Sequence, residues 1–320
     1  MYKVAVVGPI HEEGMKLFRS RSDVEAHVLE DLSPAGIARG VTGVDAINIR
    51  TQSLPREVLA LAPGLRIVSR HGVGFDNVDV AYLSSRKIPM AIAADANYTA
   101  VAEEAVTMML CLLKNVAEAD AAVRAGDFAW RNTGVLSDLM DRHVLVLGFG
   151  RIGQRVATLC QAFGAKVSAY DPYVTASPVP GVEMTADYKA LLPKIDILTL
   201  HLPSLPETVG MIGAAELATM KPTALVVNTA RGGIVDEDAL AAALRDGVIG
   251  GAGLDVFLKE PHDHTHPLFA QKHCVFSPHA AALTRECAVR MAVQSARNIL
   301  DCLDGKLDPR VVVNRKAIGL

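Results

Sequence analysis

The chain has 320 residues, 50% of them hydrophobic and 21% charged, with 32 Lys and Arg against 35 Asp and Glu. That length and balance allow two domains with cores of their own and exclude a disordered or fibrous chain. A formal net charge of −3 leaves no basic excess to neutralise phosphates over a broad footprint, so no nucleic-acid partner is expected.

Short β-branched runs alternate with helical patterns from the start. Strands are predicted at Val4–Val7, Val24–Leu29, Ala46–Ile49, Arg66–Val68 and Pro89–Ile92. Helices are predicted near Glu12–Arg19, Pro34–Arg39, Pro55–Leu61 and Val80–Arg86. Strand, helix, strand at these spacings implies a parallel sheet with right-handed crossovers. Val101, Ala105, Met108, Met109, Leu112 and Val116 repeat at helical spacing, which predicts one long helix from Thr99 to Ala125, ended by Gly126. The Met pair is read as core. Residues 127–142 read as irregular and hold the single Trp, Trp130.

A second series follows, with strands at Val144–Leu147, Lys166–Tyr170, Ile197–Leu200, Ala224–Asn228, Gly251–Leu254 and near Val275. Helices are predicted near Ile152–Phe163, Ala214–Met220, Glu237–Asp246 and Thr284–Leu303, then a short edge segment at Pro309–Val313. The most apolar stretch, Ala105 to Leu113, is too short to cross a bilayer, which needs about 20 residues. No membrane partner is therefore expected. Neither a signal peptide nor a Cys-x-x-Cys pair is read, and five cysteines is an odd number. Reduced thiols in a cytoplasmic protein are expected.

The strand Val144–Leu147 runs into Gly148-Phe149-Gly150-Arg151-Ile152-Gly153 and then a helix. Gly148 permits the tight turn, Gly150 leaves room for a pyrophosphate and Gly153 lets the helix pack close to the strand. The helix start at Arg151 and Ile152 offers N–H groups and positive dipole to phosphates. Asp171 ends the next strand, 18 residues past Gly153, where a carboxylate accepts from ribose hydroxyls and repels a 2′-phosphate. NAD is therefore expected over NADP.

Three later segments end strands, at the sheet edge where ligands of open parallel sheets bind. Asn228-Thr229-Ala230-Arg231-Gly232-Gly233 carries an Arg able to grip a carboxylate with two parallel hydrogen bonds. Gly253-Leu254-Asp255-Val256-Phe257 is followed by Glu260-Pro261, and Phe276-Ser277-Pro278-His279-Ala280-Ala281 carries a His among small residues. A carboxylate beside an imidazole favours the imidazolium and makes it a general acid. His262-Asp263-His264-Thr265-His266 has the look of a metal tract, but it is read as a structural loop and no metal is expected.

Together with Gly72-Val73-Gly74-Phe75-Asp76-Asn77-Val78-Asp79, Asn97 with Val101-Ala102-Glu103, and His201-Leu202-Pro203 with Glu207-Thr208, these motifs resemble the D-isomer-specific 2-hydroxyacid dehydrogenase family over nearly the whole chain. The resemblance implies two doubly wound parallel-sheet α/β domains, a Rossmann NAD domain (99–286) inserted into a flavodoxin-like substrate domain (1–98 plus 287–320). It implies that Arg231 binds the substrate carboxylate and 2-oxo group, that His279 is the acid/base, and that Glu260 holds it protonated. It assigns Asp255 to the nicotinamide amide, Leu202, Pro203, Thr208, Thr229 and Ala230 to the cofactor, and Arg50, Val73, Gly74 and Asn97 to the substrate. The long helix and the Trp130 loop resemble the family's homodimer contact.

Departures narrow the expectation. Formate dehydrogenases carry Gln where this chain has Glu260. Phosphoglycerate enzymes often carry two basic residues in the segment matching Arg50-Thr51-Gln52, where Gln52 replaces the second, and no appended regulatory domain is expected after residue 320. Arg70-His71 could add positive potential for a second anionic group. The expected activity is interconversion of a small 2-oxo acid and its D-(R)-2-hydroxy acid, with glyoxylate or hydroxypyruvate as leading substrate. D-3-phosphoglycerate oxidation, phosphite oxidation and a non-enzymatic NAD-sensing regulator are the alternatives.

Overall fold

The computed structural model describes residues 1–320. The chain divides into two compact units, one of Met1–Asn97 with Leu283–Leu320 and one of Tyr98–Ala282. The first opens with five parallel strands, β1 (Tyr2–Val7), β2 (Val24–Val28), β3 (Ala46–Ile49), β4 (Ile67–Arg70) and β5 (Met90–Ile92), in spatial order β2-β1-β3-β4-β5. Between them run α1 (Glu12–Arg19), α2 (Pro34–Val41), α3 (Arg56–Leu59) and α4 (Val80–Ser85). Local chemistry sets the helix starts: Ser33 Oγ accepts from Gly36 N–H at 3.1 Å and Asp79 from Tyr82 N–H at 2.8 Å. Strand residues alternate between two buried layers. Ala5, Val7, Ile47 and Val68 pack with Ile37, Leu59 and Leu83, while Val4, Val6, Ala46 and Ile67 pack with Phe18 of α1.

The second unit begins with α5 (Tyr98–Leu113) and α6 (Val116–Arg124). Its sheet comprises β6 (His143–Leu147), β7 (Lys166–Tyr170), β8 (Glu183–Met184), β9 (Ile197–Leu200), β10 (Leu225–Asn228), β11 (Gly251–Leu254) and β12 (Cys274–Phe276). All pairings are parallel, in the order β12-β11-β10-β9-β6-β7-β8. The helices α7 (Arg151–Ala162), α8 (Ala214–Thr219) and α9 (Glu237–Arg245) complete it. Val144, Val146 and Val227 pack against Met108 and Met109 of α5 and Val156 of α7, and the alternate residues Leu145, Leu147 and Val226 against Leu217 and Leu240. The strand order reverses between β6 and β9, so the glycine loop after β6 sits at the topological switch point.

The chain returns to the first unit with α10 (Arg285–Leu303) and α11 (Arg315–Ile318). Buried amides fasten this return: Asn298 Nδ2 donates to Ile92 O at 3.0 Å, and Asn314 Nδ2 to Ile88 O at 2.9 Å.

Three sequence expectations need correction. The predicted helix from Thr99 to Ala125 is two helices, broken at Asn115, whose φ of 44° is left-handed. Pro309–Val311 forms a 3-10 turn instead of an edge strand, with one bridge between Ala91 and Val312. The stretch expected to be irregular contains a 3-10 turn at Phe128–Asn132, capped by Asp127. No helix is long and apolar enough to cross a membrane.

Candidate active site

The glycine loop is built for close backbone approach. Gly148 has φ +90°, and a Cβ there would strike the His201 carbonyl, so β6 turns against the end of β9 with no side chain between them. Gly153, in the first turn of α7, lies with its α-carbon against the Gly148 carbonyl. A Cβ on Gly150 would meet nothing within 4 Å, so open space lies over the start of α7, where Arg151 and Ile152 present backbone N–H groups. At the end of β7, Asp171 Oδ2 accepts from Phe149 N–H and Oδ1 from Tyr173 N–H, both at 2.8 Å. Each carboxylate oxygen keeps a further lone pair for a ribose hydroxyl.

After β9, His201 bonds through Nε2 to Thr199 Oγ1 at 2.9 Å, and its Nδ1 is buried without a partner. Burial holds this ring neutral, with a pKa pushed down to about 3. Leu202 is buried and Pro203 exposed. Thr208 closes the following turn: its hydroxyl donates to Pro203 O at 2.7 Å and accepts from Leu205 N–H at 2.8 Å. Thr229 and Ala230, just past β10, are buried, and Thr229 Oγ1 has no protein partner. An open Gly150 face, orphaned polar atoms at His201 and Thr229, and an acceptor carboxylate at Asp171 fit a dinucleotide.

Arg231, Asp255 and His279 follow three neighbouring strands. Asn228 of β10 is in register with Leu254 of β11, and Leu254 with Phe276 of β12, so all three emerge at the same sheet edge. A Cβ on Gly232 would collide with the Phe257 carbonyl, so the Arg231 loop lies directly on the loop that carries Glu260. Arg231 Nη1 donates to Ala230 O at 2.7 Å. His279 Nδ1 pairs with Glu260 Oε2 at 2.7 Å, and Glu260 Oε1 accepts from Phe257 N–H at 3.1 Å. The pair is half exposed, with side-chain exposures of 51% and 37%, so the imidazole remains open to a ligand. Asp255 is only 1% exposed, and its carboxylate accepts from the N–H groups of Ala280 at 2.8 Å and Ala281 at 3.1 Å. Burial, then the Asp255 charge, pushes the Glu104 carboxyl up.

The candidate substrate residues of the first unit follow β3 (Arg50), β4 (Val73 and Gly74) and β5 (Asn97). Arg50 Nη1 donates to Pro9 O at 2.9 Å, and Asn77 Nδ2 donates to Arg50 O at 3.2 Å. Val73 and Gly74 are half-buried, and Asn97 Oδ1 is buried without a partner. Arg70, considered as a second anion contact, braces the glycine turn: Nε donates to Gly74 O and Nη1 to His71 O, each at 2.7 Å. His71 beside it is buried, with a pKa pushed down to about 4 by desolvation and then by the Arg50 charge. In the His-rich segment, His262 stacks on Phe269 at 4.5 Å and His266 Nδ1 accepts from Leu268 N–H at 3.2 Å, contacts of a folded loop. Sequence reasoning passed over Asn228 as a functional residue and read Arg70 as a charge, not as a brace. Their one signal was position, an Asn or Arg closing a strand just before a site loop.

Among curated proteins, the D-3-phosphoglycerate dehydrogenase of Mycobacterium leprae is 39% identical over 293 residues, 90% of this chain and 55% of that protein. The glyoxylate reductase of Thermococcus litoralis is 35% identical over 321 residues, 97% of this chain and 96% of that protein. The chain spans about 55% to 60% of the length of the first three phosphoglycerate dehydrogenases it matches. Among solved structures, a protein of Thermus thermophilus superposes with a TM-score of 0.87 at 32% identity, covering 96% of this chain and 98% of that one. Residues 106–281 match the NAD-binding domain of the D-isomer specific 2-hydroxyacid dehydrogenases, and the chain belongs to that family.

Proposed function

We propose that the chain is an NAD-dependent oxidoreductase that interconverts a small 2-oxo acid and its D-(R)-2-hydroxy acid, with glyoxylate or hydroxypyruvate as the leading substrate. The observation that carries this reading is the 2.7 Å His279–Glu260 pair beside the Arg231 loop, on the unit that bears the dinucleotide turn. The unit of Tyr98–Ala282 is assigned as the NAD domain, and that of Met1–Asn97 with Leu283–Leu320 as the substrate domain.

NAD, when bound, supplies the hydride acceptor and NADH the donor. Gly148, Gly150, Arg151, Ile152 and Gly153 hold the pyrophosphate, and Asp171 the adenosine ribose. Leu202, Pro203, Thr208, Thr229, Ala230 and Asp255 line the cofactor site. Arg231 grips the substrate carboxylate and polarises the 2-oxo oxygen. Because Nδ1–H of His279 donates to Glu260, Nε2 carries the mobile proton; it gives that proton to the carbonyl oxygen in reduction and takes it back in oxidation. Glu260 keeps a negative charge against the ring and fixes its orientation. In the first unit, Arg50, Val73, Gly74 and Asn97 are assigned to the substrate.

Two coarser features belong with this reading. The apolar side chains of Val123 and Phe128 are 67% and 70% exposed, which supports a homodimer through that face. The five free cysteines, with Cys160 pushed up to about 12 and Cys274 to about 11 by burial, suit a reducing cytoplasm.

The test is NADH oxidation, followed spectrophotometrically, with glyoxylate, hydroxypyruvate, a wider 2-oxo-acid panel, and the reverse reaction on D-3-phosphoglycerate and phosphite. His279→Ala is expected to lower kcat by about 100-fold or more with NADH binding retained. Arg231→Ala is expected to raise KM by about 10- to 100-fold and to lower kcat as well. Turnover of 2-oxo acids undiminished in His279→Ala would overturn the assignment. Tight NADH binding with no turnover on any substrate would point to a sensing protein.

A further inference from the structure

The geometry points to Asn228 and Asp255, buried at the ends of neighbouring strands, as positioning residues that hold Arg231 and His279 respectively, the first through an amide that donates and accepts, the second through a carboxylate that only accepts. The inference rests on the proposed roles of Arg231 and His279. Asn228 is 2% exposed and spans the turn that bears Arg231. Its Oδ1 accepts from Ala230 N–H at 3.0 Å, and its Nδ2 donates to Arg231 O at 2.9 Å. One side chain therefore grips the backbone on both sides of Arg231, a task that needs an acceptor and a donor on one planar amide. Only the stated amide orientation satisfies both partners.

Asp255 does the corresponding task for His279 with acceptors alone. That histidine sits in left-handed backbone at φ +52°, a conformation that a non-glycine residue keeps only when its surroundings enforce it. Three bonds from one residue enforce it. Asp255 O accepts from His279 N–H at 2.8 Å, Oδ1 from Ala280 N–H at 2.8 Å and Oδ2 from Ala281 N–H at 3.1 Å. The His279 N–H takes the backbone carbonyl, which any residue offers, but the next two N–H groups, one on each side-chain oxygen, require a side chain that accepts at both ends, which a carboxylate does and an amide does not. The two devices are joined, since Asp255 N–H donates to Asn228 O at 3.0 Å. Neither side chain needs to touch substrate. Each sets the angle at which a touching side chain leaves its loop, and a displacement of about 1 Å there costs on the order of 100-fold in rate.

The test exchanges polarity at constant volume. In Asp255→Asn an amide NH2 faces a backbone N–H, and in Asn228→Asp a carboxylate faces the Arg231 carbonyl. Three readings are taken: kcat with glyoxylate or hydroxypyruvate, the Kd of oxalate for the NADH-loaded enzyme, and the Kd of NADH by fluorescence. Asp255→Asn is expected to lower kcat by about 100-fold while the Kd of oxalate stays within about threefold; its Kd of NADH only sets the NADH concentration used, because Asp255 also lines the proposed cofactor site. Asn228→Asp is expected to weaken oxalate by about tenfold or more, with a smaller loss of kcat and NADH binding unchanged. Equal shifts in kcat and in the Kd of oxalate, or no shift in either variant, overturn the proposal. If an isostere fails to bind NADH, Asn228→Ser and Asp255→Ser are judged by the same split. His279→Ala and Arg231→Ala run alongside: if they are impaired while the isosteres match the parent, the positioning claim alone falls, and if they too match the parent, the functional reading falls with it.

Discussion

Two buried histidines link single residues to the acid stability of their own units. His201 in the NAD-binding unit and His71 in the other are pushed down to about 3 and about 4. An unfolded histidine titrates near about 6.5, so below that pH the unfolded chain binds protons the folded rings refuse. Stability from these rings is therefore fully present above about pH 6.5 and is lost as pH falls toward the folded values. The limiting slope is about 1.4 kcal/mol per pH unit for each ring. Most paired carboxylates titrate lower, and Glu104, raised by burial, acts with the opposite sign. Urea unfolding of the NAD-binding unit at pH 7, 6 and 5 should show this slope, and His201→Gln should flatten it. An unchanged slope in that variant removes His201 as the cause. The segment His201-Leu202-Pro203 was legible as a motif, yet nothing in its spelling told that the imidazole lies against Thr199 with Nδ1 enclosed. Enclosure is a property of what the strand ends pack upon. The same holds for Asn228 and Arg70, whose partners are carbonyls supplied by turns.

At the scale of elements, strands announced themselves because both faces of a covered parallel sheet are apolar: β1 is four buried residues out of six, β10 four out of four. The break between α5 and α6 did not, because the apolar repeat continues through it. Met109 and Leu112 are buried, but Val116 is 49% exposed, so the periodicity has ceased to mean core. Asn115 makes the break, at φ 44° and ψ 44°, a conformation Asn tolerates better than most residues. Its side chain fastens two other segments: Nδ2 donates to Val135 O at 3.3 Å and Oδ1 meets His273 Nδ1 at 3.2 Å. Asn115→Ala loses both bonds and leaves an alanine in left-handed backbone, a cost of about 2 kcal/mol or more. Asn115→Gly loses the bonds but not the backbone freedom, and should cost about 1 kcal/mol less than Ala. Calorimetry on the three proteins checks the order; Ala at least as stable as Gly would show that the backbone term is absent. The two-residue β8 had no signal at all, since a lone edge pairing follows from the neighbouring strand and not from its own composition.

At the scale of the whole molecule, the proposed homodimer rests on the exposed apolar side chains of residues 116–140. The helix α6 buries no residue, and Val123, Phe128, Leu136 and Met140 expose 67%, 70%, 49% and 64% of their surface. The proposed homodimer would cover such side chains, since a two-fold axis lets a surface meet its own copy. Charges of both signs lie among them, Asp120 bonded to Arg124 and Lys114 to Asp138, so like charges need not meet across that axis. Light scattering at micromolar protein should give twice 34.0 kDa. Val123→Glu with Phe128→Asp places two charges where the partner's apolar side chains would lie, and burying them unpaired costs several kcal/mol. That variant should run as a monomer with NADH affinity unchanged, because neither residue lies near the glycine loop in sequence or in the dinucleotide contacts assigned above. A parent protein of single mass, or a double variant that stays dimeric, would move the contact away from α6 and leave its exposed side chains to some other partner.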